Sequence, residues 1–197
     1  MCGRITLTRR DLDGIARDLG ASFDPDDATR HKPRYNAAPS ELLWLLVASD
    51  DGERRIVPAV WGLPSQRAKS PPINIQAETL RRGASKRRRR SVVIGDGFYE
   101  WTGAKGARRP LWFHRGSELI LFAAVDTPLD ASTHAPLACA VITVEPARTW
   151  SPSTTASQRC LRLTSSAFGS VPMTPRAWRY SCRHRPARLK RAPYRRA

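Results

Sequence analysis

The chain has 197 residues, of which 41% are hydrophobic, so it is long enough to form one domain with a core of its own. No apolar run approaches the ~20 residues of a membrane-spanning helix, and the charged first ten residues (MCGRITLTRR) lack the apolar segment of a secretion signal. We therefore expect a cytoplasmic protein without a membrane segment. The net charge of +17 favours an acidic partner, most commonly a nucleic acid.

The first predicted element is a short amphipathic helix at residues 8–19 (TRRDLDGIARDL), with Thr8 as its cap and Gly20 at its end. After a polar loop, short segments rich in valine, isoleucine and aromatic residues alternate with turns, which is typical of strands. These segments are residues 41–48, 54–61, 91–101, 110–115, 118–126 and 137–144. The order predicts an α+β fold, a β-rich single domain at residues 1–147 whose sheet is closed or folded over.

A basic run at residues 81–90 (RRGASKRRRR) precedes the strand predicted at 91–101 and includes Lys86 and Arg87. It is either a solvated loop or a surface that binds phosphates.

Residues 148–197 form a basic tail. They contain twelve Arg and Lys and no Asp or Glu, which leaves 22 basic and 17 acidic residues, a net charge of +5, for the first 147. The high isoelectric point is therefore mostly a property of the tail. Its small polar residues, Arg and Pro follow neither a helical nor a strand period, which predicts disorder or a sequence that was not selected to fold.

The four cysteines include no CxxC pair, and His and Cys are not clustered as a zinc site requires. A GxSxG motif of serine hydrolases is absent as well. We therefore expect no metal and no organic cofactor. Cys139, within LACAVIT, is expected to be a buried apolar residue.

Cys2 differs from the other cysteines because of its position. Removal of Met1 would make it the first residue, with an α-amine and a thiol on the same carbon skeleton. An α-amine has a lower pKa than a lysine amine, so a larger fraction is neutral and nucleophilic near neutral pH. The amine can condense with an aldehyde, and the adjacent thiol can then close a thiazolidine ring in an intramolecular step.

Five short motifs occur in one order: MCGR (1–4), RYNAAP (34–39), WGLP (61–64), INIQAET (73–79) and GFYEW (97–101). With the later LWFHR, ILFAAVDTP and AVIT segments, they resemble the SOS-response-associated peptidase (SRAP) family over residues 1–143. Members of that family process abasic sites in single-stranded DNA. The resemblance implies a folded or barrel-like sheet with short helices, a monomer, and a place in the DNA damage response on the bacterial nucleoid.

The resemblance also implies roles for single residues. Cys2 matches the nucleophile, which is released by self-removal of Met1, a hydrolase reaction, and then linked to the abasic sugar; a lyase activity is also compatible. Asn74 matches the residue that positions the sugar, and Glu100 matches the acid–base carboxylate. Arg4 and Asn36 match positions beside the DNA.

The sequence departs from the family at positions that are expected to bind DNA. No tryptophan follows WGLP to stack on a base, and Gln76 stands where the family has an arginine. Phosphate contacts from the basic run, including Lys86 and Arg87, would compensate.

A family histidine, in a motif I-H-x-R, is also missing after the AVIT strand. When the third base of each codon is read with the first two of the next, residues 152–158 permit I-H-H-R-I-P. We therefore hypothesise that residues 148–197 are a frameshifted reading; the alternative is a genuine basic DNA-binding tail. Two other functions stay open: a catalytically impaired remnant that binds single-stranded DNA, and a general basic nucleic-acid protein.

Overall fold

The computed structural model describes residues 3–65, 68–82, 88–130 and 134–144, together with short backbone segments at 159–160, 162–163 and 190–193. Within these residues the chain is β-rich with short helices, as predicted; there are three, of which the sequence located only the one at residues 8–19. The elements in chain order are β1 (Ile5–Leu7), α1 (Leu12–Leu19), β2 (Ser22–Phe23), α2 (Pro25–Arg30), β3 (Arg34–Ala37), β4 (Leu42–Ala48), β5 (Arg54–Trp61), β6 (Asn74–Gln76), α3 (Ala77–Arg82), β7 (Arg89–Gly95), β8 (Gly97–Thr102), β9 (Arg109–His114), β10 (Ile120–Pro128), β11 (Leu137–Val144), β12 (Arg159–Cys160), β13 (Arg162–Leu163) and β14 (Lys190–Pro193).

Five strands form a closed barrel in the order β11, β10, β7, β4, β5. Neighbours are antiparallel, and β5 closes the ring by pairing in parallel with β11, where Trp61 lies opposite Cys139. After β5 leaves this partner, β6 continues beside β11, and Asn74 lies opposite Val141. The closed or folded-over sheet expected from the sequence is therefore confirmed.

A second antiparallel sheet, in the order β14, β9, β8, β1, β3, packs on the barrel. Its inward residues join the barrel interior in one core cluster, in which Phe98 stacks on Phe113 at 5.2 Å and meets Phe122 edge-on at 5.9 Å. The helices cover the outside, because α1 buries Ile15 and Leu19 against one face of the sheet and α3 buries Leu80 against another.

Three predicted strands are shifted by one or two residues at one or both ends, and two predicted elements differ more. The first helix begins at Leu12 rather than at residue 8, and Thr8 is not its cap, because the Thr8 hydroxyl hydrogen-bonds to Asp96 instead. Gly20 ends this helix as predicted, with a left-handed φ of 57°. The strand predicted at 91–101 is two strands in different sheets, β7 and β8, and the chain turns between them at Asp96.

Three segments of the basic tail pair with the sheets: β12 with β11, β13 with β10, and β14 with β9. These eight residues differ from the expectation of a tail without secondary structure. Sheet edges bind extended chain through main-chain hydrogen bonds, which depend little on side chains. The rest of the tail lies outside the described residues, and the boundary at residue 147 stays a prediction. No helix among the described residues is long and apolar enough to cross a membrane.

Candidate functional site

Asn74 and Glu100 face the same core. Asn74 lies directly opposite Val141, and Glu100 follows Phe98 by two residues in β8. Both Val141 and Phe98 belong to the cluster between the barrel and the second sheet. Since paired residues share a face and side chains alternate along a strand, both polar side chains point toward that interior. Oδ1 of Asn74 and Oε1 of Glu100 are inaccessible to solvent.

The backbone before Asn74 is fixed by the barrel. The wholly buried Trp61 donates from Nε1 to the carbonyl oxygen of Ile73 at 3.0 Å, and the Val141 amide donates to the same oxygen at 2.9 Å. Gly62 turns the chain out of β5 at a φ of 141°, where a side chain would meet Pro71. The WGLP motif therefore serves to present Asn74.

Glu100 is a buried carboxyl, with 5% of its surface exposed. Burial raises the pKa of Glu100. A carboxyl with a raised pKa can hold a proton closer to neutral pH than an exposed glutamate does, which suits an acid–base group.

The first described residue lies beside Glu100. Strand β1 pairs with β8 so that Ile5 is opposite Phe98, and the Tyr99 amide donates to the Arg4 carbonyl oxygen at 3.0 Å. Continuing this register brings Gly3 opposite Glu100. Cys2, the expected nucleophile, lies outside the described residues, and so do Lys86 and Arg87.

Arg4 and Asn36, which are predicted to lie beside the DNA, are brought together at the surface. The Arg4 guanidinium donates to Oδ1 of Asn36 at 3.0 Å across β1 and β3. Two large aromatic side chains are exposed: Tyr35, which precedes Asn36 in the sequence, at 60%, and Trp101, which follows Glu100, at 39%. Trp101 is therefore accessible for stacking.

Sequence reasoning missed a hydrogen-bonded cluster around Asp96. Its Oδ1 accepts from the Thr6 hydroxyl at 2.6 Å, and its Oδ2 accepts from the Thr8 amide at 2.5 Å and the Thr8 hydroxyl at 2.6 Å. Trp112 donates from Nε1 to the Thr6 hydroxyl at 3.3 Å. An aspartate between two glycines within an apolar run was the signal for this corner.

The described part of the chain offers neither a metal site nor a reactive thiol in this core. No cluster of three or more His, Cys, Asp or Glu able to hold a metal occurs among the residues that the structure describes. Burial raises the pKa of Cys139, which is wholly enclosed in the core, so this thiol stays protonated as expected of a buried apolar residue.

A family model described as SOS response associated peptidase (SRAP) matches residues 1–154. The abasic site processing protein YedK of Escherichia coli K12 is 28% identical over 149 residues, which cover 68% of this chain and 64% of YedK. The mouse abasic site processing protein HMCES is 31% identical over 147 residues, which cover 58% of this chain and 40% of HMCES. The matched region thus spans less than two thirds of either relative.

Two solved structures from Bordetella bronchiseptica share the fold. A phage-related protein of this organism has a TM-score of 0.73 at 22% identity, and the match covers 99% of this chain and 95% of the phage-related protein. A second protein from the same organism has a TM-score of 0.75 at 16% identity, and the match covers 98% of this chain and all of the other. At these identities the likeness shows the fold alone.

Proposed function

Because the chain belongs to the SOS response associated peptidase (SRAP) family, we propose that it captures abasic sites in single-stranded DNA through a covalent bond to Cys2. The names of YedK and HMCES, both abasic site processing proteins, support this choice of lesion. The adduct would protect the lesion during the DNA damage response. Met1 must first be removed by hydrolysis of the Met1–Cys2 peptide bond, which we propose the same site performs.

The chemistry requires one water to leave. The α-amine of Cys2 adds to the aldehyde carbon of the opened sugar and gives a carbinolamine, whose hydroxyl departs as water with a donated proton. The thiol sulfur then adds to the resulting imine carbon, its proton passes to the nitrogen, and a thiazolidine ring closes. If the thiol does not add, the imine can lose a proton from C2′, and the electron pair forms a C2′–C3′ double bond as the 3′ phosphate leaves, which is the lyase reaction.

Glu100 is the group we assign to these proton transfers. The carrying observation is that this carboxyl is buried in the core beside the first described residues and that burial raises its pKa. The register that sets Gly3 opposite Glu100 supports the same assignment. We assign Asn74, which faces the same core, to hydrogen bonds that orient the sugar.

Arg4 and Asn36 would bind the strand beside the lesion. The planar guanidinium of an arginine suits the oxygens of a phosphate. The exposed rings of Tyr35 and Trp101 offer faces for unpaired bases, which stack on aromatic side chains without sequence preference. Lys86 and Arg87 add charge that favours any nucleic acid strand.

The missing histidine supports a second candidate. No I-H-x-R motif follows AVIT in this sequence, so the chain is alternatively a DNA-binding remnant with slow or no crosslinking. Both candidates bind single-stranded DNA non-covalently, so a binding measurement does not distinguish them. Formation of a covalent product does.

The test is a denaturing gel with an oligonucleotide that carries one abasic site. We expect a shifted band with the intact protein and none with Cys2→Ala, while both proteins bind the oligonucleotide non-covalently. A band of equal yield with Cys2→Ala would exclude the thiazolidine. Equal binding of intact and abasic strands, with no band for either protein, would favour a general nucleic-acid protein.

A further inference from the structure

Arg89 and Asp126 form an ion pair at the rim of the barrel. Nε of Arg89 lies 3.0 Å and Nη2 lies 2.8 Å from the same carboxylate oxygen, Oδ1 of Asp126. The Asp126 side chain is 1% exposed and the Arg89 side chain is 60% exposed. The carboxylate is thus inside the barrel, and the guanidinium it holds reaches into solvent.

This pair belongs to a row of residues that lies next to the row containing Asn74. Arg89 lies opposite Asp126, Asp126 opposite Cys139, and Cys139 opposite Trp61, across four neighbouring strands. The next inward-facing row contains Val141 and ends at Asn74. Rows two residues apart are separated by about 6.6 Å along a strand. Arg89 therefore lies in the same row as Trp61, the last residue of β5, after which the chain leaves the strand and leads to Asn74.

The Arg89 guanidinium has more N–H donors than its contacts to Asp126 use. An arginine has five N–H groups, and the two contacts to Asp126 use one on Nε and one on Nη2. Since the side chain is mostly exposed, the remaining groups face solvent. A guanidinium fixed by a buried carboxylate has already lost much of its rotamer freedom, so it binds an oxygen ligand at a smaller entropic cost than a free arginine.

We propose that Arg89, positioned by Asp126, binds a backbone phosphate of the single-stranded DNA that occupies the site. This inference rests on the proposed function and adds a contact to it. Arg89 belongs to the basic run at residues 81–90, so the local charge favours an anion. A structural ion pair alone would not require the arginine side chain to lie outside the barrel.

The decisive variant is the double substitution Arg89→Gln with Asp126→Asn. It removes the fixed guanidinium, keeps the net charge, and leaves no buried carboxylate without its partner. Binding is measured on an oligonucleotide with a tetrahydrofuran analogue of the abasic site, which has no aldehyde and cannot crosslink. We expect affinity to fall roughly two- to fivefold, the range of an exposed ion pair, and the salt slope to flatten by about 0.7.

Two further variants separate charge from position. Arg17→Gln removes an exposed positive charge from α1, on the outside of the barrel, and should leave the slope unchanged. Asp126→Ala raises the net charge but frees Arg89, so we expect weaker binding in a variant whose folding is checked by its melting temperature. Wild-type affinity and slope in the double variant would overturn the phosphate contact. Equal or tighter binding by folded Asp126→Ala would overturn the positioning.

The outcome is separable from that of the proposed function. If the wild-type protein fails to bind the analogue or to crosslink the abasic strand, the proposed function fails. If the wild-type protein does both, and the double variant binds as well as it does, only the role of Arg89 fails.

Discussion

The hydroxyl of Thr6 donates a 2.6 Å hydrogen bond to Oδ1 of Asp96, 90 residues away in sequence. The bond joins the amino-terminal strand to the corner where the chain passes from the barrel to the second sheet. The Thr8 amide and hydroxyl bind the other oxygen of the same carboxylate. Asp96 therefore fixes β1 in the register that sets Gly3 opposite Glu100.

Removing the Thr6 hydroxyl tests this anchor. Thr6→Val preserves the shape of the side chain but leaves a buried oxygen of Asp96 with one donor fewer, so we expect a loss of roughly 1–3 kcal/mol of unfolding free energy. Thr6→Ser keeps the hydroxyl and should lose less. Denaturant titration of both variants gives the comparison, and equal losses would show that packing rather than the hydrogen bond matters here.

Glu100→Gln tests the acid–base role. The amide is nearly isosteric but cannot transfer the proton, and removal of a positioned acid or base slows a reaction by ~10²–10⁴. We expect this slowing in the single-turnover rate of adduct formation, with the variant folded. Glu118→Gln, an exposed glutamate paired with Arg115, is the matched control and should react at the wild-type rate. A normal rate for Glu100→Gln would return Glu100 to a structural role.

The raised pKa of Glu100 also predicts a pH-dependent stability. The folded protein keeps this proton to a higher pH than the unfolded chain, so stability contributed by the protonated form is present below the ordinary glutamate pKa. It is lost as pH rises toward the folded pKa. Glu100→Gln cannot titrate, so its stability relative to wild type should increase between acid and neutral pH. A difference that stays constant across this range would contradict the prediction.

Asn74 and Asn36 should affect different steps. Asn74 faces the interior and is assigned to the sugar, so Asn74→Ala should lower the rate or yield of the adduct at saturating DNA more than it weakens binding. Asn36 contacts Arg4 at the surface, so Asn36→Ala should weaken binding and leave the saturated rate nearly unchanged. Comparing the rate at saturation with the half-saturating DNA concentration separates the two effects. Equal loss of both in Asn74→Ala would mean that it only supports β6.

Periodicity predicted the strands of the barrel because their packing is regular. The strands at 54–61 and 137–144 have the predicted bounds, since each pairs along its full apolar length in the barrel. The short helix α2 was missed because Asp24 caps it and Pro25 begins it within a polar stretch without apolar spacing. The glycines on either side of Asp96 mark a turn, but local sequence shows neither that this turn leads into another sheet nor that β6 pairs beside β11.

The site was predictable in its residue types but not in its surroundings. Short motifs indicated Asn74 and Glu100, yet their shared core exists only after residues distant in sequence pair. The ion pair of Arg89 and Asp126 joins two strands whose alignment no motif records. The register between strands that are distant in sequence determines both the shared core of Asn74 and Glu100 and this ion pair.

The tail supplies the last prediction. If residues 148–197 are a frameshifted reading, they were not selected to pack, and their twelve positive charges repel one another without any acid to offset them. Their amides should then exchange faster than those of the barrel, with β14 the most protected part because it pairs with β9.

A version of the gene with the shifted frame restored tests the same hypothesis through function. It should gain the I-H-x-R histidine, unfold at a higher denaturant concentration, and process abasic DNA faster than this chain. Replacing only that histidine in the restored protein should lower the rate toward that of the 197-residue chain, while the stability of the restored protein is kept. If the restored protein is no more stable and no faster, the tail is an authentic basic extension. It should then contribute binding that weakens steeply with salt, which a chain ending at residue 154 would lack.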